Sequence, residues 1–482
     1  MASRARALIA AARRQRCPWH GASCGAHSHG ARGPPEYAFE MASSSVRFGS
    51  GVSGEVGHDV AHSGAKKVMV VSDARLSALP GGGPLRRVLD SLTAHCSGAS
   101  VEVYTDIECE PTDSSFQRAI AAARRASPDA FVVVGGGSAI DTAKTMNLYL
   151  CHPDAAFLDF VNAPTGKGLP VPNALRPLYA LPTTAGTGSE TTGVAIFDHE
   201  PSNAKTGIAS RRIKPTLGLV DPDNTATMPR GVAVASGFDV LCHALESYTA
   251  IPYDERLPRP ASPELRPAYQ GANPFSDVWS LHALRLLAKY FRRSCADRED
   301  KEANEAMTLA ATMAGIGFGN AGVHLAHGCS YAVSGLNRSK FVMDGYDAPF
   351  VPHGVSVVLT APAIFSATAA ANAERHAELA AILRGLNPPV NVALSSGGPQ
   401  KRRTSEDSAA SAGAALAEQL KIYMQTLGVP DGLGSLGFTS RDVPALVEAT
   451  LPQRRVLNLA PSEENASAEA LARIFENSMK IY

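Results

Sequence analysis

The sequence predicts a Rossmann-like α/β domain in its N-terminal half and an all-α domain in its C-terminal half. Three observations carry that prediction. Short apolar runs alternate with alanine-rich helical stretches from about 46 to 220, the pattern of a parallel sheet wrapped by helices. One of these runs, FVVV at 131–134, passes directly into three glycines and a helical stretch. Beyond about residue 228 the β-branched alternation fades, and apolar residues recur at helical spacing.

The first element is a leader. Arg4, Arg6, Arg13, Arg14, Arg16 and Arg32 lie in a stretch without a single acid, so the chain from Glu36 onward carries 39 basic and 45 acidic side chains, a net charge of −6. An arginine-rich, serine-containing segment with a small apolar run at 7–12 reads as a mitochondrial transit peptide over 1–40, with the mature protein in the matrix. A secretory signal fits less well, because that apolar run is short and three arginines follow it at once. The eight cysteines form no CxxC pair, which excludes a thiolate zinc site of that type and matches a reducing compartment. No run of about 18 apolar residues suggests a membrane span. No block of like charge points to nucleic acid.

The dinucleotide-binding domain is expected over 41–226. KVMVVS at 67–72 reads as a buried strand, 85–96 as a helix, 101–104 as a strand and 114–126 as a helix. A strand at 130–134 then leads into a helix from Ser138, and further strands follow at 178–181 and 217–221. The helical domain is expected over 227–482, with helices at 231–250, 275–291, 302–315, 324–331, 355–370, 374–386, 414–425 and 444–450. Between them, 387–413 is rich in Pro, Gly, Ser and charge and reads as a mobile surface loop.

Gly49, Gly51 and Gly54 spell GxGxxG, with Asp73 some 20 residues on, but the motif precedes the first strong strand, whereas a dinucleotide fingerprint follows one. It reads as a tight entry turn. The better phosphate cradle is Gly135, Gly136, Gly137 and Ser138. Residues without Cβ let backbone approach a pyrophosphate, and the N–H groups of the new helix face it. A second polar loop carrying Thr183, Thr184 and Thr187 follows the next strand, at the sheet end where ligands bind. Asp73, at the end of the 67–72 strand, is placed either to accept from an adenosine ribose, favouring NAD over NADP, or to cap a turn.

The helical half holds the sharper signal. Asp239 and His243 are four apart and share a helix face; His327 (HLAHG) and His353 (VPHG) lie downstream in glycine-flanked settings. One carboxylate and three neutral imidazoles would leave a divalent cation with net charge +1 and room for a substrate oxygen, a donor set suited to Fe(II) or Zn(II). Such an ion lowers the pKa of a bound alcohol, and with a nicotinamide across the cleft the reaction class is hydride transfer.

These motifs resemble the group III, iron-containing alcohol dehydrogenase family. The resemblance spans 37–482 and rests on GGGSAIDTAK, LPTTAGTGSETT, GFDVLCHALESY, AGVHLAHG and VPHG. It implies a dehydroquinate-synthase-like fold, metal ligands at Asp239, His243, His327 and His353, a pyrophosphate loop at Gly135–Ser138, a nicotinamide-side loop at Thr183, Thr184 and Thr187, and a ribose acid at Asp73. It also implies a cofactor contact at Lys205. Many members have a second His four residues after the third ligand, for proton relay; here that place is Tyr331, a hydroxyl that stays protonated near neutral pH, and His324, three residues before His327, either replaces that relay or simply fills space.

YAFEMA, EPTDSSF, KPTLGLVDP, RPAYQGANP and VPHGVSVVLTAPA resemble the mitochondrial branch of the family that passes hydride between a hydroxyacid and an oxoacid. That branch implies oxidation of 4-hydroxybutyrate to succinate semialdehyde, hydride parked on tightly held NAD, and reduction of 2-oxoglutarate to D-2-hydroxyglutarate. The alternative is an NAD-dependent alcohol dehydrogenase with exchangeable cofactor. Carboxylate substrates call for a cation near the metal, for which Arg338 and Lys340 are candidates. Self-association as a homo-oligomer stays open.

Overall fold

The computed structural model describes residues 33–202, 204–337, 341–346, 349–386 and 406–482. The leader residues 1–32, Arg338 and Lys340, and 387–405 of the expected loop lie outside them.

The N-terminal half contains eight strands: β1 (Ser45–Phe48), β2 (Lys67–Ser72), β3 (Ser100–Tyr104), β4 (Ala130–Gly135), β5 (Leu178–Pro182), β6 (Val194–His199), β7 (Ala204–Ala209) and β8 (Leu217–Val220). Six form one parallel sheet in the order β1-β8-β5-β4-β2-β3. Strands buried on both faces need continuous apolar sequence, and the KVMVVS and AFVVVG runs supply it. Val68 and Val70 of β2, with Val132 and Val134 of β4, pack under α1 (Val56–Ser63) and α2 (Gly83–His95). Met69, Val71, Phe131 and Val133 point the other way, against α3 (Asp113–Ala126) and α4 (Gly137–Cys151).

The register fixes where the loops end up. Val134 pairs with Ser72 and Leu181, and Gly135 with Pro182, so Asp73, the 135–138 turn and the 183–187 loop all leave the sheet at its carboxyl edge. Strands β6 and β7 form an antiparallel hairpin outside this sheet, an element the sequence reading does not anticipate.

The GxGxxG segment needs correcting in its context, not in its outcome. A strand, β1, does precede it, and a helical turn follows. Its amides are nevertheless taken: Gly51 N–H donates to Asp221 Oδ1 at 3.1 Å and Ser53 N–H to Oδ2 at 3.1 Å. A carboxylate from the end of β8 occupies the place a phosphate would need.

Among the described residues the remaining helices of six residues or more are α5 (Arg230–Thr249), α6 (Pro274–Ala296), α7 (Lys301–Ala321), α8 (Leu325–Leu336), α9 (His353–Val358), α10 (Ala361–Thr368), α11 (Ala373–Leu383), α12 (Glu406–Leu427), α13 (Val443–Thr450) and α14 (Ala468–Asn477), with a single helical turn at Arg454–Leu457. They share one large apolar core. The expected 355–370 helix is two, α9 and α10, with Pro362 in the first turn of the second. The expected loop also ends earlier: 406–413 is already helical, opening with Glu406 and Asp407, which favour a helix N-terminus, and burying Ala409 and Ala412 beside Ala373. Between α7 and α8 the chain turns by 102°. Among the described residues no single helix is long and apolar enough to cross a membrane.

Candidate active site

Helix α5 is buried almost all round, and its phase puts Asp239, His243 and Glu246 toward one region. His327 comes from the first turn of α8 and His353 begins α9. These two elements can approach because of local chemistry. A Cβ at Gly354 would stand 1.9 Å from the Ala235 carbonyl oxygen, so only glycine lets α9 lie this close to α5, one turn before Asp239.

The donors converge on one oxygen. Asp239 Oδ1 lies 3.5 Å from His243 Nε2, 3.4 Å from His327 Nε2 and 3.7 Å from His353 Nε2. Ligand atoms of Asp239, His327 and His353 are all within 4.8 Å of one another; His243 stands outside that trio but reaches Asp239. Asp239 Oδ1, His327 Nε2 and His243 Nδ1 are buried without a hydrogen-bond partner. Orphaned buried donors and acceptors are costly, and a divalent cation where the donors converge would satisfy Asp239 Oδ1 and His327 Nε2; His243 turns its Nε2, not its Nδ1, to that point.

A second layer, absent from the sequence reading, orients the first. Glu246 accepts the Nδ1 proton of His327, leaving Nε2 facing the other donors. Its Oε1 also accepts backbone N–H groups at the start of α8, from His324 at 3.1 Å and Ala326 at 2.6 Å. The signal was present, since Glu246 follows Asp239 by two helical turns. His243 stacks on Phe318 with ring centroids 3.8 Å apart.

His324 was expected either to stand in for the relay or simply to fill space, and its Nδ1 lies 3.4 Å from Glu246 Oε1. It precedes the helix rather than sharing a face with His327, and its fully buried ring pairs Nε2 with Thr249 Oγ1 at 2.9 Å.

Burial opposes charge on every member of this cluster, and neighbours decide the balance. Burial would raise the Asp239 carboxyl, yet His243, His353 and His327 hold it well below the usual carboxylate range. Glu246, likewise buried, is held down to about 2 by His327 and His324. Burial would lower His327, but Glu246 and Asp239 lift it to about 9. His243 is pushed down to about 3 and His353 is also lowered, both by burial.

The two expected cofactor loops lie side by side. A Cβ at Gly137 would stand 2.6 Å from Thr187 Cγ2, and one at Gly136 3.3 Å from Thr184 Cγ2, so these glycines make room for the neighbouring loop as well as for a phosphate. Thr183 N–H donates to the Gly135 carbonyl at 3.1 Å. Asp73 caps the turn Ala74–Ser77, accepting from Leu76 N–H at 2.8 Å, while its Oδ2 faces Gly135. The second loop also reaches the metal helix: a Cβ at Gly186 would stand 2.9 Å from Ser236 Cβ, three residues before Asp239.

Lys205, expected against the cofactor, is committed elsewhere. Its buried ammonium sits 2.6 Å from Glu110 Oε2 and 3.0 Å from Asp198 Oδ1, and the two carboxylates keep it charged despite burial. It reaches the first loop through Glu110, a left-handed residue at φ 54° whose N–H donates to Ser138 Oγ at 3.3 Å. The β6–β7 hairpin creates this pairing, which explains why the sequence reading missed it.

Tyr331 stands one turn beyond His327 on α8, and its buried hydroxyl accepts from Arg455 Nη2 at 3.1 Å.

Two family models match the chain: iron-containing alcohol dehydrogenase over residues 43–222, and the C-terminal region of the Fe-containing alcohol dehydrogenase family over 268–479. The chain is 53% identical over 448 residues to the mitochondrial hydroxyacid-oxoacid transhydrogenase of Rattus norvegicus, covering 93% of this chain and 91% of that one. It is 49% identical over 492 residues to the Homo sapiens protein of the same name, covering 100% of both. Among solved structures, 1,3-propanediol oxidoreductase matches with a TM-score of 0.74 at 25% identity, covering 92% of this chain and 100% of that one.

Proposed function

The chain belongs to the iron-containing alcohol dehydrogenase family, and from that premise we propose that it is a mitochondrial hydroxyacid-oxoacid transhydrogenase using a divalent metal and NAD. The reaction is oxidation of 4-hydroxybutyrate to succinate semialdehyde coupled to reduction of 2-oxoglutarate to D-2-hydroxyglutarate, with NAD retained between the halves. The observation that carries this reading is the orphaned pair Asp239 Oδ1 and His327 Nε2, with His243 Nε2 and His353 Nε2 within 3.7 Å of that oxygen, tied through Ser236 and Gly186 to the loop beside the glycine turn.

Asp239, His243, His327 and His353 would hold the ion, Fe(II) in keeping with the family. When bound, the ion supplies Lewis acidity toward a hydroxyl oxygen and the nicotinamide supplies the hydride acceptor. Glu246 keeps the proton of His327 on Nδ1, so that Nε2 presents its lone pair. Phe318 covers one face of His243 and keeps water from it. Gly135, Gly136, Gly137 and Ser138 take the pyrophosphate, Asp73 the adenosine ribose, and Thr183, Thr184 and Thr187 the nicotinamide side. Lys205 acts as a positioning residue, holding Glu110 against Ser138.

Purified protein given both 4-hydroxybutyrate and 2-oxoglutarate should yield succinate semialdehyde and D-2-hydroxyglutarate in equal amounts without added NAD. Sustained NADH release from 4-hydroxybutyrate and excess NAD alone would reject the reading in favour of a dehydrogenase with exchangeable cofactor.

A further inference from the structure

A chain of side-chain contacts starts on one histidine of the proposed metal site and ends one helical turn from another. His243 stacks on Phe318, and Phe318 lies edge-on to Tyr269 with centroids 6.3 Å apart. The Arg455 guanidinium lies 4.8 Å from the centroid of the Tyr269 ring and donates to the hydroxyl of Tyr331, four residues after His327 on the same helix. Arg455 is therefore lodged beside the site. The chain around it is anchored on both sides. Leu457 and Val456 settle onto Gly328, where even a Cβ would come within 3.0 Å, and Gln453 Nε2 donates to the Lys205 carbonyl at 3.1 Å.

The guanidinium is not neutralised. No carboxylate among the described residues pairs with it, and its Nη1 is buried without a hydrogen-bond partner. Lys205, the other cation near the site, already has two carboxylates. The Tyr331 hydroxyl accepts from Nη2, so its own proton is free to be donated. An unpaired buried Arg donor beside a hydroxyl donor is a fork for a carboxylate.

We propose that Arg455, with Tyr331, binds the carboxylate of the substrates in both half-reactions. This rests on the transhydrogenase reading. In 4-hydroxybutyrate the carbon that loses hydride and the carboxylate are separated by two methylenes; in 2-oxoglutarate two methylenes again separate the ketone carbon from the distal carboxylate. Three carbon–carbon bonds span roughly 4 Å, and positions four apart on a helix set their Cβ atoms about 5–6 Å apart. Tyr331 stands that one turn from His327 and its hydroxyl holds Arg455, so a single Arg455–Tyr331 pair serves both molecules, placing each reacting carbon at the same point.

The test uses the full-length holoenzyme and the variants Arg455→Met and Arg455→Lys. Butyrate, which keeps the carboxylate and methylenes but has no hydroxyl to oxidise, is titrated calorimetrically, and both half-reactions are followed as single turnovers of the retained nicotinamide. Arg455→Met should weaken butyrate binding and lower kcat/KM for 4-hydroxybutyrate and 2-oxoglutarate alike, each by roughly 100-fold. Arg455→Lys should fall between, because it keeps the charge but not the fork. Unchanged butyrate affinity in Arg455→Met overturns the inference even if turnover has dropped, since the carboxylate would then be held without the guanidinium. Loss in only one half-reaction overturns the shared subsite. A wild type unable to couple the two acids overturns the functional reading instead, and its butyrate titration still reports on Arg455.

Discussion

Glu246 and His327 form a buried pair in which the carboxylate takes the Nδ1 proton of the imidazole and, through its other oxygen, the backbone N–H groups that open the helix carrying that imidazole. One side chain thus fixes the tautomer of His327 and the position of its helix, joining α5 to α8. Metal-ligating imidazoles typically need such a partner.

Glu246→Gln should therefore loosen the metal without unfolding the chain, because an amide oxygen can still accept from the α8 amides. The expected loss is about 10–100-fold in metal affinity, read by competition with a chelator. Metal retention equal to wild type would show that His327 needs no fixed tautomer.

Gly354→Ala tests how α9 is held. The added methyl would meet the Ala235 carbonyl, a backbone atom that cannot rotate away, so α9 must move and carry His353 with it. Overpacking of this kind costs about 1–3 kcal/mol. Equilibrium denaturation should register that loss, and metal content should fall in parallel; a fall in stability with full metal content would separate His353 from the site.

Which parts were legible follows from how local their signals are. The sheet strands announced themselves because a doubly buried strand needs an unbroken apolar run, as at Val68–Val71 and Val132–Val134. Asp239, His243, His327 and His353, which the structure brings together, were legible as candidates because they fall in three short motifs, with Asp239 and His243 sharing one. Glu246 lay within such a motif but one turn past the spacing considered. His324 was expected on the helix face of His327, but the helix starts after it. The β6–β7 hairpin went unseen, and with it the capture of Lys205 by Asp198 from the neighbouring strand. Arg455 meets Tyr331 across 124 residues, a contact that no local pattern encodes.

The first described residues form a strap whose strength should depend on pH. Glu36, though buried, is held below the usual carboxylate range by Arg266, at 3.0 and 3.2 Å, and by the N–H groups of Tyr37 and Ala38. A carboxyl whose folded pKa is depressed stabilises the folded state above its unfolded pKa, and that contribution disappears as pH falls through the folded value. Stability should thus decline on acidification below about pH 4, more steeply in wild type than in Glu36→Gln. That variant should also lose about 2 kcal/mol at pH 7. Denaturation curves at both pH values check this, and parallel pH profiles for the two proteins would assign the acid sensitivity elsewhere.

Gly137 offers a test that separates two reasons for a glycine. A methyl there would crowd Thr187 Cγ2 at 2.6 Å, pushing apart the two loops that frame the proposed NAD site. Gly137→Ala should weaken NADH binding roughly tenfold, about 1.4 kcal/mol, as measured by fluorescence titration. If loop packing is the cause, Thr187→Ser removes the crowded methyl, and the double variant should recover most of the lost affinity while the serine variant alone stays near wild type. If the glycine is needed instead because cofactor backbone contact leaves no room for a side chain, the double variant should bind as weakly as Gly137→Ala. Recovery would therefore place the constraint between the loops, and its absence would place it against the pyrophosphate.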